Sequence, residues 1–331
     1  MFEIPVALIL FRRNDTLPKI IARIRTVRPR RIYLLADEGR NEEEREQAHT
    51  CRTLAEALID WECEVIKYYA EENRGVYGNI GKGAQWVFNR ERYAIFIEDD
   101  NLPEETFFEY AKELLYRYES NPKVMWICGT NYYTEMNDRH SYEFTQHLLP
   151  CGWASWSEKF LTYYDGELKL FGDRKMRRSF LKSYNDRWLA RWQFQAVRNE
   201  YERYQKTGKF LSWDYQMVWS VRAQNLLGIV PMRNQITNIG IDEFSVHGGC
   251  DRKNVMTSRF CKVPSKPMRF PLLHPASISI NRESEGELSE VICPPHFTVL
   301  KSLTGTRLKK ALGIDISIPW KQILSHSNSL N

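Results

Sequence analysis

Hydrophobic and polar positions alternate in blocks along the first 130 residues. Short continuous apolar runs are typical of strands buried on both faces, and they predict strands at residues 5–11, 31–36, 64–69, 93–97 and 124–128. Between them lie segments with helical spacing, which predict helices after Asn14 and at residues 42–61, 80–89 and 104–119. This alternation predicts βαβ units and an α/β fold with a mostly parallel central sheet flanked by helices.

The alternation ends near Pro150, and tryptophans become frequent beyond it. Residues 177–204 predict one long helix whose aromatic side chains pack in a core. After about Gly248 the chain is irregular and proline-rich. We therefore predict one domain at 1–249, with a nucleotide-binding half at 1–130 and a catalytic and acceptor half at 131–249. A helical and irregular C-terminal extension would cover 250–331.

Composition excludes some classes of protein but does not distinguish one enzyme class from another. A chain of 331 residues with 43% hydrophobic content can bury a sizeable core. The net charge of +5 suits a phosphate-bearing ligand but is too small to indicate nucleic acid, and no RNA-recognition or zinc-finger pattern occurs. The seven cysteines are scattered without a CxxC pair, which favours reduced thiols and a cytoplasmic location.

Membrane association is expected to be peripheral at most. The first apolar run is short and lacks a basic leader, and no stretch is long enough to span a bilayer. Residues 306–324 are basic and weakly amphipathic. They predict a solvated terminal helix, with docking on the anionic inner membrane surface as the alternative.

Three acids, Glu98, Asp99 and Asp100, follow the fourth predicted strand directly. One explanation is that Asp100 or Asn101 caps a helix that starts near Pro103. The other is that a hard divalent cation, Mg²⁺ or Mn²⁺, relieves their repulsion and shares its coordination sphere with substrate phosphates. A metal held in this way makes diphosphate a better leaving group. The second hypothesis is a metal–diphosphate site.

Other loops at the same edge of the sheet suit a nucleotide, because parallel sheets bind ligands beyond the carboxyl ends of their strands. Arg12 and Arg13 follow the first strand and can meet phosphates, and Asp37 follows the second and can accept from a base or ribose. The glycine-rich segment 73–86 lets backbone approach a ligand. It carries Asn79 and Lys82, which we also assign to binding of this nucleotide ligand.

The ordered motifs "ILFRRND", "LLADEG", "GAQWVF", "IFIEDD", "LPCGWASW", "SWDYQ" and "NIGIDEFSVHGG" together resemble those of a family. The chain resembles GT-A-fold glycosyltransferases, and among them N-acetylglucosaminyltransferase I and its bacterial relatives, over roughly residues 4–249. The resemblance implies a Rossmann-like GT-A fold. It also implies a nucleoside-diphosphate sugar as donor.

The resemblance also implies roles for single residues. Asp100 would bind the metal, Mn²⁺ or Mg²⁺, and Asp214 would be the catalytic base. The implied donor-binding residues are Phe11, Arg13, Asp37, Asn79, Lys82, Glu98, Asp99 and His247. Trp153 and Trp213 would face the acceptor or the sugar. Core packing is the alternative for Trp153 and a helix N-cap is the alternative for Asp214.

The chain departs from the family pattern at two places. The histidine expected near Gly83 is absent, and Lys82 stands close by instead. Around Asp214 there is one acid where the family carries two. The choice of base is therefore simpler, but the register of the alignment is less firmly determined at this position.

We predict an inverting, metal-dependent glycosyltransferase that moves a sugar from a nucleoside-diphosphate donor, of UDP type, to a glycan or lipid-linked glycan. Synthesis of a bacterial surface polysaccharide would fit. A nucleotidyltransferase acting on sugar phosphates is the first alternative, although "FRRNDTLPK" lacks the glycines usual in its first loop. A two-carboxylate glycosidase is the second. The third is a non-enzymatic binding protein on a degenerate transferase fold.

Overall fold

The structure is a computed structural model that describes residues 1–132, 139–240 and 261–314. Eight strands form the main sheet: β1 Val6–Leu10, β2 Arg31–Ala36, β3 Glu64–Tyr69, β4 Tyr93–Glu98, β6 Val124–Cys128, β7 Tyr142–Thr145, β8 Trp153–Trp156 and β9 Leu227–Pro231. Two short strands, β5 Asn101–Pro103 and β10 Ile236–Asn238, pair antiparallel beside it.

The sheet has the order β3-β2-β1-β4-β8-β6-β9-β7. Strands β1 to β4 are mutually parallel, and β8 runs antiparallel between β4 and β6. Strand β9 is parallel to β6, and β7 closes the edge antiparallel to β9. Six of the eight strands therefore share a direction, as this order implies. The predicted α/β class with a mostly parallel, helix-flanked sheet is confirmed.

Helices cover both faces of the sheet. They are α1 Leu17–Val27, α2 Glu42–Leu58, α3 Lys82–Phe88, α4 Phe107–Arg117, α5 Ser157–Tyr163, α6 Arg174–Lys182, α7 Arg187–Thr207, α8 Asp214–Ala223, α9 Arg282–Ile292 and α10 His296–Ala311. A π-helical turn, Tyr77–Gly81, precedes α3, and a 3-10 turn, Lys169–Gly172, precedes α6.

The strand β1 is a continuous apolar run because both faces of the sheet are buried at its centre. In β1, Val6, Leu8 and Leu10 belong to one hydrophobic core, whereas Ala7 and Ile9 belong to the other. The first core packs under α1, α2 and α4, and the second under α3, α5 and α8. Successive side chains of a strand point to opposite faces, so every position of β1 is apolar.

Two predictions about helices are wrong. The long helix expected at 177–204 is two helices, α6 and α7, because Asp186 starts a new one: its Oδ1 accepts from the backbone N–H groups of Trp188 and Leu189, at 2.6 and 2.7 Å. The helix expected at 104–119 begins later, at Phe107, with Thr106 in the N-cap position. Strand β5 and strands β7 to β10 were not predicted; they have three to five residues and lie outside the regular alternation of strands and helices.

The region predicted as an extension contributes to the main cores. Met268 and Leu272 lie in the first core, and Leu288 of α9 lies in the second. The boundary placed between residues 249 and 250 falls outside the described residues and stays a prediction. Over the described ranges no cysteine forms a disulfide. No helix in those ranges combines the length and apolarity needed to cross a membrane.

Candidate active site

The site lies at the point in the sheet where successive strands are added on opposite sides of β1. The loop after β1 leads through α1 to β2 on one side of β1, whereas β4 pairs with β1 on the other side. In open α/β sheets, such a reversal leaves a crevice at the carboxyl ends of the two strands, and ligands bind there. The Phe11 N–H after β1 donates to Asp99 Oδ2 after β4, at 2.8 Å. This bond joins the two strand ends.

The three acids after β4 strongly disfavour one another's charge. Burial raises the pKa of Asp99 to about 7, with the negative charge of Asp100 adding to the effect and the Phe11 N–H opposing it. Burial also raises the pKa of the half-buried Glu98 well above its ordinary value. The negative charges of Asp100 and Asp99 raise it further. Full ionisation of these neighbouring acids at neutral pH is therefore unfavourable unless a positive charge compensates it.

The helix-capping explanation for these acids is wrong. Asn101 begins β5, which pairs with β10, and α4 starts only at Phe107. The Asn101 side-chain amide instead donates to Glu98 Oε1 at 3.1 Å and accepts from Asn238 Nδ2 at 3.1 Å. The turn between β4 and β5 is thus held by side-chain amides.

Arg13 provides a positive charge near the acids. One guanidinium nitrogen donates to the Gly240 carbonyl at 3.1 Å and lies 3.9 Å from Asp100 Oδ2. A Cβ at position 240 would lie 2.3 Å from the same Asp100 oxygen, so only glycine permits this approach. Arg12, in contrast, forms an ion pair with Glu44 of α2 at 2.8 Å. The two arginines therefore have different roles.

Asp214 is the first residue of α8, and the structure does not show it as an N-cap. Trp213 occupies the N-cap position, without a side-chain capping bond. The Asp214 charge is among the causes that raise the pKa of Glu98, after burial, Asp100 and Asp99. It also adds to the effect of burial in raising the pKa of Tyr132. The fold therefore brings Asp214 into the electrostatic environment of the three acids, although 114 residues separate it from Asp100.

Asp37 organises the glycine-rich loop in this structure. Its carboxylate accepts from the backbone N–H groups of Glu38, Arg74 and Gly75, each at 2.9 Å, and from Asn73 Nδ2 at 3.2 Å. Four such bonds fill the acceptor sites of a carboxylate. A role toward uridine stays a prediction, and it would require a ligand to displace one of these donors.

Asn79 and Lys82 occupy different environments on the same loop. Asn79 is buried, and its Nδ2 lies 3.4 Å from the Leu10 carbonyl oxygen. Its Oδ1 accepts from the Arg74 guanidinium at 2.9 Å. Lys82 is exposed, with its ammonium 5.8 Å from the centre of the Tyr77 ring. Of the two, Lys82 is the one that a phosphate can reach. Both assignments to the donor stay predictions.

Sequence reasoning missed the connection between this loop and α8. A Cβ at Gly81 would lie 2.8 Å from the Tyr164 hydroxyl, which itself donates to the Trp213 carbonyl at 3.2 Å. Tyr164 thus links the glycine-rich loop to the residue before Asp214. No motif or spacing marks Tyr164 in the sequence, because its role arises only from tertiary packing.

Trp153 and Trp213 lie in the core. Trp153 is 1% exposed, and its ring stacks with Phe96 and Trp126 at centroid distances of 3.9 and 4.2 Å. Trp213 is 4% exposed and stacks with Trp153 at 5.7 Å. Neither ring has a face open to a sugar in this structure. Core packing, the alternative given for Trp153, is therefore the arrangement observed.

The acids fit a hard cation that keeps most of its coordination sphere for other ligands. Asp100 is partly accessible, its side chain being 21% exposed. Over the described ranges, no set of three His, Cys, Asp or Glu ligand atoms converges at these acids. The protein therefore offers one or two carboxylates, as is usual for Mg²⁺ and Mn²⁺ with substrate phosphates. His247 lies outside the described residues, and its assignment stays a prediction.

Comparisons with known proteins leave the family open. No family model matches the chain, and no curated protein matches it. Among solved structures, glucosyl-3-phosphoglycerate synthase from Mycobacterium tuberculosis, in complex with Mn²⁺, uridine-diphosphate-glucose and phosphoglyceric acid, is similar at 13% identity and a TM-score of 0.30. That match covers 47% of this chain and 57% of the other.

Two further structures give likenesses of the same strength. A UDP-glucose pyrophosphorylase complexed with UDP-glucose matches at 9% identity and a TM-score of 0.27, over 45% of this chain and 64% of its own. A mannose-1-phosphate geranyltransferase from Thermus thermophilus matches at 12% identity and a TM-score of 0.27, over 49% and 53%. The chain thus covers less than two thirds of each, and similarities this weak identify neither a family nor an activity for it.

Proposed function

We propose that this protein is a metal-dependent transferase that uses a nucleoside-diphosphate sugar, and specifically an inverting glycosyltransferase with a glycan or lipid-linked glycan as acceptor. The observation that carries the proposal is the crowding of Glu98, Asp99 and Asp100 at the reversal point of the sheet. The raised pKa values of Glu98 and Asp99 indicate that the ionised forms of these two acids require a compensating positive charge. The sequence resemblance to GT-A glycosyltransferases supports the choice of donor.

Each residue has a distinct part in the proposal. Asp100, with Glu98 beside it, would hold Mn²⁺ or Mg²⁺, which would neutralise charge on the departing diphosphate when bound. Asp214 would take the proton from the acceptor hydroxyl. Arg13 and Lys82 would face the anionic part of the donor, and Asp99 would keep the loop after β1 in place through the Phe11 N–H. Inversion follows in this scheme from a single base acting opposite the leaving group.

The first test is a thermal-shift screen of nucleotides and nucleotide sugars, each with and without Mn²⁺. Ligand binding raises the melting temperature by mass action, so we expect a metal-dependent shift with one nucleoside diphosphate and its sugar conjugate. Asp100→Asn should abolish the metal dependence and leave the protein folded. Asp173→Asn is the matched control, because Asp173 is an exposed helix N-cap and asparagine caps equally well.

The second test separates the reaction classes by their products. With the donor identified, release of nucleoside diphosphate indicates glycosyl transfer, whereas release of inorganic diphosphate from a nucleoside triphosphate indicates nucleotidyl transfer. Asp214→Asn should retain donor binding and lower turnover at least about a hundredfold. Near-normal turnover in this variant would assign the base elsewhere. Absence of any nucleotide-induced shift in a folded sample would refute the proposed function.

A further inference from the structure

A second group of metal-ligating side chains lies far along the chain from the acids after β4. One ligand atom from each of Asp186, Cys293 and His296 lies within 4.8 Å of the other two. Asp186 is the N-cap of α7, and Cys293 and His296 flank the start of α10 in the sequence "CPPH". We propose that these three residues bind Zn²⁺ and thereby fasten α10 to α7.

The chemistry of the ligand set favours zinc over the cation proposed for the active site. A thiolate, an imidazole and a carboxylate together suit a borderline-soft ion, whereas Mg²⁺ and Mn²⁺ prefer oxygen alone. Zinc bonds of about 2.0–2.3 Å require ligand atoms roughly 3–4 Å apart, which small side-chain movements from the observed arrangement would reach. Three protein ligands leave one position for water.

Each ligand is held in a suitable orientation. Asp186 Oδ1 accepts two backbone N–H groups of α7, which fixes the orientation of the carboxylate. The imidazole of His296 stacks on Trp188, with ring centroids 5.1 Å apart and an angle of 21°. Pro294 and Pro295 restrict the backbone between the other two ligands. The thiol of Cys293 donates to the Pro294 carbonyl at 3.3 Å and would release its proton on binding zinc.

A cysteine nucleophile activated by histidine and aspartate would need a different arrangement. In such a relay the sulfur and the carboxylate contact opposite nitrogens of the imidazole, and they therefore lie apart. Here the sulfur and the carboxylate oxygen lie within 4.8 Å of each other as well as of one imidazole nitrogen. Three ligand atoms this close to one another can be bridged by a single ion.

The fold also gives the metal a structural task. Only Val299 and Lys309 of the 16 residues in α10 are buried. The apolar cluster beneath it is small and separate from the two main cores, with Leu189, Cys293 and Val299 at its centre. Lys310 adds an ion pair to Glu202 of α7 near the other end of the helix. A metal bond supplements cores of this size, as it does in small zinc domains.

The test is cobalt and zinc binding to the full chain after treatment with a chelator. We expect one equivalent of Co²⁺ to produce a thiolate-to-cobalt charge-transfer band in the near ultraviolet and one equivalent of Zn²⁺ to remove it. Saturating Zn²⁺ should raise the melting temperature by about 5 °C. Cys293→Ser should lose both effects, and Cys63→Ser, a half-buried cysteine after α2, should keep both.

Two further variants keep the result interpretable. His296→Gln changes an exposed residue, so it should fold and bind Co²⁺ at least about tenfold more weakly. Asp100→Asn should leave the cobalt band unchanged, which separates this site from the proposed active site. A wild-type chain without a thiolate–cobalt band would overturn the proposal, as would a band that persists in Cys293→Ser.

Discussion

Two clusters of ionisable side chains in this protein are built on opposite principles. After β4, three carboxylates crowd together, with the Arg13 guanidinium 3.9 Å from one oxygen of Asp100. Beneath α9, Glu285 and Arg222 are 3.4 Å apart and His147 lies beside them, all buried. The second cluster matches each charge with a partner. The first has an excess of like charge, which a ligand can neutralise.

The buried cluster also determines the protonation state of its histidine. Arg222 donates to His147 Nδ1 at 3.0 Å, and arginine has no acceptor, so Nδ1 carries no proton. The proton is on Nε2, which lies 3.0 Å from Ser289 Oγ. Burial lowers the pKa of His147 to about 4, with the charge of Arg222 acting in the same direction and that of Glu285 opposing it. The imidazole is therefore neutral at physiological pH.

The comparison teaches that charged residues serve structure or binding according to whether the fold provides their partners. Glu285 accepts from the Thr145 hydroxyl at 2.6 Å in addition to its contact with Arg222. It joins α9 to the β7 strand and to α8, the helix that begins with Asp214. The predicted C-terminal extension is thereby anchored by a buried ion pair to the half that we predict to be catalytic.

The largest expected effect comes from breaking the paired cluster. Glu285→Ala leaves the Arg222 guanidinium buried without its carboxylate and should lower the free energy of unfolding by about 3–5 kcal/mol. Glu105→Ala, which removes an exposed partner of Arg23, should cost at most about 1 kcal/mol. Urea denaturation of both variants checks this difference. Equal losses would show that the buried pair contributes no more than a surface pair.

The pH dependence of stability should also reflect the paired cluster. Because the pKa of His147 is about 4 when folded and about 6.5 when unfolded, the unfolded chain binds more protons between these values. Stability should therefore fall as pH drops from 6.5 to 4, by roughly 3 kcal/mol from this group. Denaturation midpoints of the wild type and His147→Gln at pH 7 and 4.5 test this. Parallel pH profiles in the two proteins would contradict it.

The crowded acids should respond in the opposite direction. Folding raises the pKa values of Glu98 and Asp99, so these two acids cost stability as pH rises from about 4.5 through 7. Without metal, Glu98→Gln should stabilise the protein at pH 8 by roughly 2 kcal/mol, a value reduced to allow for the solvent-exposed part of the Glu98 side chain. At pH 5 the stabilisation should be much smaller. Glu43→Gln, at an exposed site on α2, provides the control. A destabilised Glu98→Gln at pH 8 would mean that the charge already has an adequate partner.

The smallest effect concerns the position of Asp100 and leaves the charges unchanged. Gly240→Ala places a methyl group where the Asp100 carboxylate now lies, so the carboxylate must move. We expect Mn²⁺-dependent nucleotide binding to weaken about tenfold. Gly286→Ala in α9 is the control, since a Cβ there meets no atom within 4 Å. If Gly240→Ala binds as tightly as wild type, Asp100 does not hold the metal in this position.

Much of the first half of the fold was predictable, because its signals are local. The bounds of β2, β3 and β6 were predicted without error, and each is a short apolar or β-branched run between polar segments. The second half was less predictable. Strands β7, β8 and β9 are short, and two of them run antiparallel between or beside parallel neighbours. Periodicity does not indicate such pairing, which depends on contacts between distant segments.

The candidate site shows the same division. The acids after β4 and Arg13 stood out in the sequence because parallel strands end at a common edge of the sheet. The motif "NIGIDEFSVHGG" contains Asn238 and Gly240, but their contacts, like those of Tyr164, could not be predicted, since they depend on distances to residues far away in the chain. The two tryptophans, which are buried here, show a related difficulty, and their assignment to the acceptor or sugar stays a prediction. A tryptophan near a polar motif has the same sequence pattern whether its ring packs in a core or faces a ligand.

The sequence alone determined the α/β class, the order of the first strands and helices, and the type of side chain available at their carboxyl ends. These follow from hydrophobic periodicity and from where polar residues interrupt it. Only the tertiary structure decided which charges have partners, that Asp214 joins the acids after β4, and that Asp186 meets Cys293 and His296. Pairing and burial depend on packing between distant segments, and the same residue type becomes structural or functional according to its neighbours.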